Sequence, residues 1–152
     1  MSESQMPDQA STPAVLEQLD EAECLRLLGA GGIGRIAYTG RYDLTVLPVN
    51  YKLHDGAILF RTSVDSLTAA ELRTGIEGSE YRVAFEVDDF SQASQEGWSV
   101  LVQGPAHHLD DAAERAEALA AGVQAWPGGE HDHFIKINPM RITGRRIRRT
   151  GT

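Results

Sequence analysis

The chain has 152 residues, of which 41% are hydrophobic and 24% are charged, a composition typical of one globular domain with a hydrophobic core. No apolar stretch approaches the ~20 residues that a membrane-spanning helix needs, so no membrane partner is expected. The single cysteine, Cys24, excludes an internal disulfide and fits a reducing cytoplasm, where we expect the protein to be located.

The formal net charge is −8, and it is unevenly distributed. Residues 141–152 contain five arginines and no acid, so the rest of the chain is more acidic than the total indicates. An acidic body repels a phosphate backbone, and a short run of arginines is too small for a nucleic-acid-binding face. We therefore expect no nucleic-acid partner.

Residues 1–13 are predicted to form a disordered leader. They are rich in polar residues and proline, and they lack the apolar segment of a secretory signal. Residues 14–152 are predicted to form a single domain, because no linker long enough to divide the chain follows residue 20.

The first predicted helix begins after Asp20, which with Glu23 resembles a capping box. It continues through CLRLL, where Cys24 is interpreted as a core residue, and ends at the glycines of GAGGIG. Glycines at this spacing suggest a dinucleotide-binding loop, but that motif needs a strand before the glycines and a helix after them. Here the order is reversed, so we reject that interpretation.

Strands dominate the next part of the chain. IGRIAYT and LTVLPVNYKL have strand-like patterns, and Asp55-Gly56 predicts a tight hairpin into AILFRT. A helix is predicted over residues 66–77. Two more strands are predicted in YRVAFEVDD and GWSVLVQGPAHHL, the second with a bend at Gly104-Pro105.

A third helix is predicted in DDAAERAEALAAGVQA, which has acids in its first turn and alanines throughout. HFIKINPMRITGRRI predicts a closing strand pair or one bent strand. About six strands and three helices, linked mostly by hairpins, favour a mainly β fold, an antiparallel barrel with peripheral helices.

Two groups of polar residues have ordinary structural explanations. Asp88 and Asp89 are predicted to end a strand as turn formers rather than to act as general acids. His131 and His133 are two residues apart, but a metal needs three or four converging ligands. No metal site is predicted.

A candidate ligand site begins at PVNY, residues 48–51. Pro48 removes a donor from the strand ladder, as is typical of an edge, a bulge or a binding surface. The hairpin then leads to Arg61 and Thr62, whose guanidinium and hydroxyl groups suit a phosphate, and a helix start near Ser66 would add backbone donors. These residues predict a site for a phosphorylated ligand. The alternative is that Arg61 is a surface charge and PVNY a bulge.

The chain resembles the pyridoxamine 5′-phosphate oxidase-like family, and in particular its small flavin-binding members of actinobacterial type. Four stretches carry the resemblance: GRIAYTGRYDLTVLPVNYKLHDGAILFRT, VAFEVDD, GWSVLVQGPA and DHFIKINPMRITGRRI. It covers residues 20 to about 148. It implies a six-stranded antiparallel split β-barrel that forms a homodimer, with two flavin mononucleotide (FMN) sites at the subunit interface.

The resemblance also implies roles for individual residues. The isoalloxazine ring would lie along Pro48, Val49, Asn50 and Tyr51. The phosphate would be held by Arg61, Thr62 and Ser66. The second subunit would bring Trp98 and Ser99 towards the flavin, and the residues near the ring would include His133 and Phe134.

Two departures from the family pattern bear on function. Leu67 stands where family members have a lysine that reaches the phosphate, so one cation is missing. The RLHDR-type signature of true pyridoxamine phosphate oxidases is absent, so vitamin B6 oxidation is not predicted.

The function predicted is that of an FMN-binding oxidoreductase acting on a small-molecule substrate that the sequence does not identify. Some family members use the deazaflavin F420, so an F420-binding reductase is an alternative function. It would be compatible with weaker binding of the flavin phosphate. A second alternative is a non-catalytic protein that binds flavin, haem or another small ligand. Haem would take its axial ligand from His107, His108, His131 or His133.

Overall fold

The computed structural model describes residues 13–40, 43–62, 81–123 and 133–150. These residues form eight strands and two helices, in the order β1 (Ala14–Leu19), α1 (Glu21–Leu28), β2 (Gly31–Gly40), β3 (Asp43–His54), β4 (Ala57–Thr62), β5 (Tyr81–Ser91), β6 (Glu96–His108), α2 (Ala112–Ala120), β7 (His133–Ile137) and β8 (Arg141–Arg149). The predicted helix over residues 66–77 lies outside the described residues. Among the residues that are described, no helix is long and apolar enough to cross a membrane.

Six antiparallel strands form a closed barrel in the order β6-β5-β2-β3-β4-β7, which closes where β7 pairs with β6. The sheet also extends from β6 to β8, and from β8 to β1. The predicted six-stranded antiparallel barrel is therefore confirmed. The predicted closing strand pair corresponds to β7 and β8, whereas β1 is not among the predicted strands.

The long strand β6 belongs both to the barrel and to the side sheet. Its first half pairs with β8 and its last residues pair with β7, with the change of partner at Gly104-Pro105. The link between β7 and β8 is bonded back to this point, because Asn138 N donates to Pro105 O at 3.0 Å. A Cβ atom on Gly104 would overlap the carbonyl oxygen of Asn138. The predicted bend is thus a change of strand partner within a continuous strand.

The barrel interior is filled by apolar side chains from every barrel strand, among them Ile36, Tyr51, Phe60, Phe85, Val102 and Ile135. Tyr51 is 3% exposed, and its hydroxyl donates to the carbonyl oxygen of Leu28 at 2.6 Å. Its ring meets Phe85 edge-on, with centroids 5.2 Å apart. Burial raises the pKa of Tyr51 to about 12. This tyrosine ties the end of α1 to the core.

The helix α1 is capped as its sequence predicts. The Asp20 side chain accepts from the backbone N–H of Glu23 at 2.8 Å, and Gly29 ends the helix with a positive φ of 64°. Cys24 is fully buried, which confirms its assignment to the core, and burial raises the pKa of its thiol. Hydrogen bonds from Arg26 and Arg146 lower the pKa of Glu23 to about 2, so this carboxylate links α1 to β8.

The turn between β3 and β4 is the predicted hairpin. Asp55 and Gly56 both have positive φ values, 50° and 78°, and their neighbours His54 and Ala57 are register partners. Two consecutive left-handed residues are typical of the two-residue turns that match strand twist. The hairpin fixes the register of β3 against β4.

The helix α2 covers the outer side of β4 and β7. Asp111 caps it by accepting from the backbone N–H groups of two residues in the first turn, both at 3.1 Å. A second apolar cluster lies beneath the helix and comprises Leu59, Leu109, Ala118, Val123 and Phe134. The third predicted helix is therefore confirmed, and its role is to bury one outer face of the barrel.

The strand β1 connects the start of the described chain to its end. All six of its residues pair with β8, and the carbonyl oxygen of Pro13 accepts from the backbone N–H of Thr150 at 3.1 Å. Residues 1–12 of the predicted leader lie outside the described residues. Pro13, the last residue of the predicted leader, is the one that bonds to Thr150.

Deleting residues 1–12 should leave the melting temperature unchanged, because that segment is polar and offers no apolar face. Deleting residues 1–19 should lower it by several degrees, since β8 would lose its partner strand. Differential scanning calorimetry on the two truncations measures both effects. A loss of several degrees on removing residues 1–12 alone would show that the leader packs on the domain.

Candidate functional site

The four residues of PVNY divide between the two sides of β3. Val49 and Tyr51 point into the barrel and are 8% and 3% exposed. Pro48 and Asn50 point outward, and Pro48 is exposed opposite Arg35 of β2. Only two of the four predicted ring-binding side chains, Pro48 and Asn50, therefore lie on the outer surface, whereas Val49 and Tyr51 belong to the core.

The hairpin brings PVNY and FRT together on one surface. Tyr51 and Phe60 are register partners, and both side chains are buried in the barrel. Their neighbours Asn50 and Arg61 must then both point outward, because side chains alternate along a strand. An amide and a guanidinium group thus lie side by side on the outer surface of β3 and β4.

The strand β7 continues this surface. Arg61 is the register partner of Phe134, and its guanidinium carbon lies 5.0 Å from the centre of the phenyl ring. Thr62 is the register partner of His133, whose ring meets that of His108 edge-on at 5.4 Å. Arg61 and Phe134 are therefore neighbours on the outer surface, whereas His133 belongs to the opposite side of β7, with Ile135 and Ile137. The side chain of Thr62 lies outside the described residues, as do Ser66, Leu67 and His131.

A second arginine, Arg115 of α2, also lies near the Phe134 ring. The guanidinium carbon of Arg115 lies 5.8 Å from the centre of the Phe134 ring. Arg115 is not among the predicted site residues, because it is 54 positions from Arg61 and belongs to a helix that propensity alone predicts. Arg115 is three residues from Ala118, which is fully buried, so both lie on the side of the helix that faces the barrel.

Trp98 and Ser99 lie on a different part of the sheet. Ser99 pairs with Asp88 on one side and Arg145 on the other, whereas Trp98 packs against the barrel core. Two strands, β5 and β2, separate β6 from β3. Within one chain these two residues are therefore apart from the surface that carries Asn50 and Arg61.

The prediction that Asp88 and Asp89 end a strand is wrong. The strand β5 continues to Ser91, and the two aspartates pair in register with Ser99 and Trp98. Cross-strand pairing overrides their preference for turns.

An acidic pair and an arginine occupy the outer side of β2 and β5. A guanidinium nitrogen of Arg35 lies 3.4 Å from a carboxylate oxygen of Glu86 and 3.5 Å from one of Asp88. Burial and the neighbouring Asp88 raise the pKa of Glu86 to about 7, and Arg35 offsets part of that increase. Glu86 is thus poised to gain or lose a proton near neutral pH.

Four large apolar side chains are exposed around this charged group. They belong to β2, β3 and β5, and they are Ile33 (53% exposed), Leu44 (79%), Val46 (62%) and Phe90 (50%). The registers place Ile33 opposite Asn50 and Val46 opposite Ala37. We call this surface the outer sheet face. Exposed apolar area of this kind is typical of surfaces that bind a ligand or another protein.

The histidines form no metal centre among the described residues, where no group of three or more metal-ligating side chains converges. Nε2 of His107 is 3.5 Å from the side-chain amide nitrogen of Asn138. The rings of His108 and His133 meet edge-on, without a third ligating side chain among the described residues.

The closed barrel of six antiparallel strands has the architecture of the split barrels. A sequence model described as pyridoxamine 5′-phosphate oxidase matches residues 20–146. The uncharacterised protein Rv0080 of Mycobacterium tuberculosis is 30% identical over 130 residues, which are 86% of this chain and 84% of the relative. The chain belongs to the pyridoxamine 5′-phosphate oxidase family.

Solved structures with the same fold include two flavin-binding proteins. The FAD binding protein of Mycobacterium smegmatis is 31% identical, with a TM-score of 0.69 over 87% of this chain and 98% of that one. A FAD-binding protein of Mesorhizobium loti is 22% identical, with a TM-score of 0.69 over 90% of this chain and 99% of that one. At 22% identity, the similarity to the M. loti protein shows only that the two chains share a fold.

Proposed function

We propose that the protein is a flavin-binding oxidoreductase that takes FMN and acts on a small-molecule substrate. The observation that supports this most strongly is that Asn50 and Arg61 share one outer surface of the barrel. The M. smegmatis relative, which is described as an FAD binding protein, supports a flavin as the class of ligand.

The residues of this surface match the parts of a flavin. Ile33, Val46 and Pro48 offer an exposed apolar area on which a planar ring could lie. The Asn50 amide can both donate to and accept from the polar edge of the ring. Arg61 supplies a planar cation suited to the phosphate.

A bound flavin supplies electron and hydride transfer, and the chain supplies position and electrostatics. Asn50 would orient the ring, and Arg61 would hold the phosphate end. Val49 and Tyr51 keep β3 in register by anchoring it in the core, which fixes Asn50 in place. No described residue is assigned as a general acid or base, and vitamin B6 oxidation is not proposed.

The visible absorbance spectrum of the purified protein tests this proposal. Oxidised flavin gives two visible bands, whereas haem would give a Soret band. If the protein is purified without a chromophore, titration with FMN, FAD, riboflavin and F420 separates the candidates. Binding of F420 or haem without binding of flavin would favour the alternative functions and overturn this one.

We also propose that the protein is a homodimer in which the outer sheet face of one subunit packs against the other. Symmetric pairing would bury the apolar side chains Ile33, Leu44, Val46 and Phe90. It would also bring Trp98 and Ser99 of one subunit towards the Asn50 and Arg61 surface of the other, which a single chain does not do.

Light scattering at micromolar concentration should give the mass of a dimer, and Val46→Glu should convert it to a monomer, because each subunit would have to bury an unpaired carboxylate in an apolar interface. Leu119→Glu is the matched control, since Leu119 is 55% exposed on α2, away from the outer sheet face. A wild-type monomer would contradict the proposal. So would a Leu119→Glu monomer beside a Val46→Glu dimer.

A further inference from the structure

Three charged side chains lie together in the outer sheet face. They are Arg35 of β2, and Glu86 and Asp88 of β5, and we call them the outer charge cluster. Arg35 and Glu86 are register partners, so the cluster spans the boundary between the two strands. About a third of each acidic side chain is exposed, 35% for Glu86 and 31% for Asp88. Both acids are therefore only partly hydrated in a single chain.

Exposed apolar side chains border the outer charge cluster on several sides. Ile33 lies two residues before Arg35 on β2, and Phe90 lies two residues after the aspartate on β5. Because side chains alternate along a strand, each points to the same side of the sheet as its charged neighbour. Pro48, which is exposed on β3, is the register partner of Arg35. A second copy that covers these apolar side chains would therefore also cover the cluster and remove water from it.

The outer charge cluster contains more acid than base. From the described strands, the charged side chains that face Glu86 are Arg35, directly opposite on β2, and Asp88, two residues along β5. On its other side, the register partner of Glu86 is the apolar Leu101 of β6. Other arginines on this side of the sheet stand farther away on β5 and β8, namely Arg82, Arg141 and Arg145. One guanidinium and two ionised carboxylates thus leave the cluster with one net negative charge.

Glu86 is the member of the cluster that can remove this charge. Burial and a side-chain hydrogen bond with Asp88 raise the pKa of Glu86 to about 7 in the single chain. A proton held between the two acids leaves one negative charge, which Arg35 balances. Burying an unbalanced charge in an apolar contact costs far more than burying a balanced ion pair. Covering the outer sheet face should therefore raise the pKa of Glu86 further.

We propose that the homodimer takes up a proton at Glu86 of each subunit as the outer sheet faces meet, so that assembly depends on pH. This inference rests on the proposed homodimer and does not depend on flavin. Below about pH 7 the free subunit already holds the proton, and the affinity between subunits is constant. Above that pH the free subunit loses its proton and must regain it to assemble. The affinity therefore falls as the pH rises.

Analytical ultracentrifugation at several pH values measures the dissociation constant of the dimer. For the wild type it should rise at least about tenfold from about pH 6 to about pH 8, because each dimer takes up two protons. Glu86→Gln, which has a neutral side chain of the same shape, should give a constant that does not change over this range. Glu114→Gln is the matched control, because Glu114 is exposed on α2, away from the outer sheet face. It should keep the pH dependence of the wild type.

A second measurement uses the wild type alone. Calorimetry of dimer dissociation on dilution, in two buffers with different ionisation enthalpies, counts the protons released, and protons should be released near pH 8. A wild-type dimer that releases none and keeps one dissociation constant at every pH would overturn the inference while the homodimer stands. A Glu86→Gln dimer with the pH dependence of the wild type would also overturn it. A wild-type monomer at every pH would overturn both the homodimer and this inference.

Discussion

Replacing Arg61 by alanine should weaken FMN binding by about tenfold to a hundredfold, which corresponds to roughly 1.5–3 kcal/mol. The reason is that a charge-assisted bond to a phosphate is worth more than a neutral one, and Arg61 shares the outer surface of the barrel with Asn50. Quenching of flavin fluorescence during titration measures the affinity.

Three comparisons isolate the phosphate contact. Riboflavin should bind the wild type and Arg61→Ala equally. Arg61→Met should behave like Arg61→Ala, because it restores contact with Phe134 but not the charge. Leu67→Lys should strengthen FMN by returning a cation where related sequences have one; Leu67 lies outside the described residues, so this expectation rests on the sequence. Equal losses for riboflavin and FMN would show that Arg61 does not bind the phosphate.

Substituting alanine for Gly104 should lower the free energy of unfolding by about 1–3 kcal/mol, a cost typical of overpacking. The added methyl group would overlap the carbonyl oxygen of Asn138 and would lie 3.0 Å from the backbone nitrogen of Met140. Both obstacles are backbone atoms, so no side-chain rotation can relieve them. Urea unfolding of the two proteins measures the difference.

Gly56→Asn is the control for the loss of a glycine. Gly56 lies in the hairpin turn with a positive φ of 78°, and no atom lies within 4 Å of an added Cβ. Asparagine tolerates that backbone conformation, so the change in stability should be small. If Gly104→Ala unfolds at the same urea concentration as the wild type, the prediction is wrong. The backbone between β7 and β8 would then be able to move and accommodate the methyl group.

The sequence predicted the parts of the fold that depend on residues close together along the chain, such as helix ends and the hairpin turn. Asp20 and Gly29 bound the first helix because a side-chain acceptor and a left-handed residue are needed at those two ends. Asp55-Gly56 fixed the hairpin for a similar reason. The strand β1 was missed because AVLEQL has a partner only in β8, more than a hundred residues later.

The sequence predicted the hairpin that brings PVNY and FRT together, but not the direction of their side chains. A strict two-residue alternation through LTVLPVNYKL would have placed Val49 and Tyr51 on one side and Pro48 and Asn50 on the other. Asp88 was assigned by its turn propensity, which the ladder with β6 and the contact with Arg35 outweigh. Arg115 depends on how α2 docks, and no short stretch of sequence carries that information.

The contact between Pro13 and Thr150 makes the domain a candidate for circular permutation. A short linker could join these two neighbouring residues, and the chain could be reopened between Asp55 and Gly56, at an exposed turn. The permuted chain would begin with β4 and end with β3. Arg61 would then lie near one new terminus and Asn50 near the other. A ligand that contacts both residues would hold the two new termini close together. Labels attached to these termini would then report ligand binding, so such a permutant could serve as a biosensor.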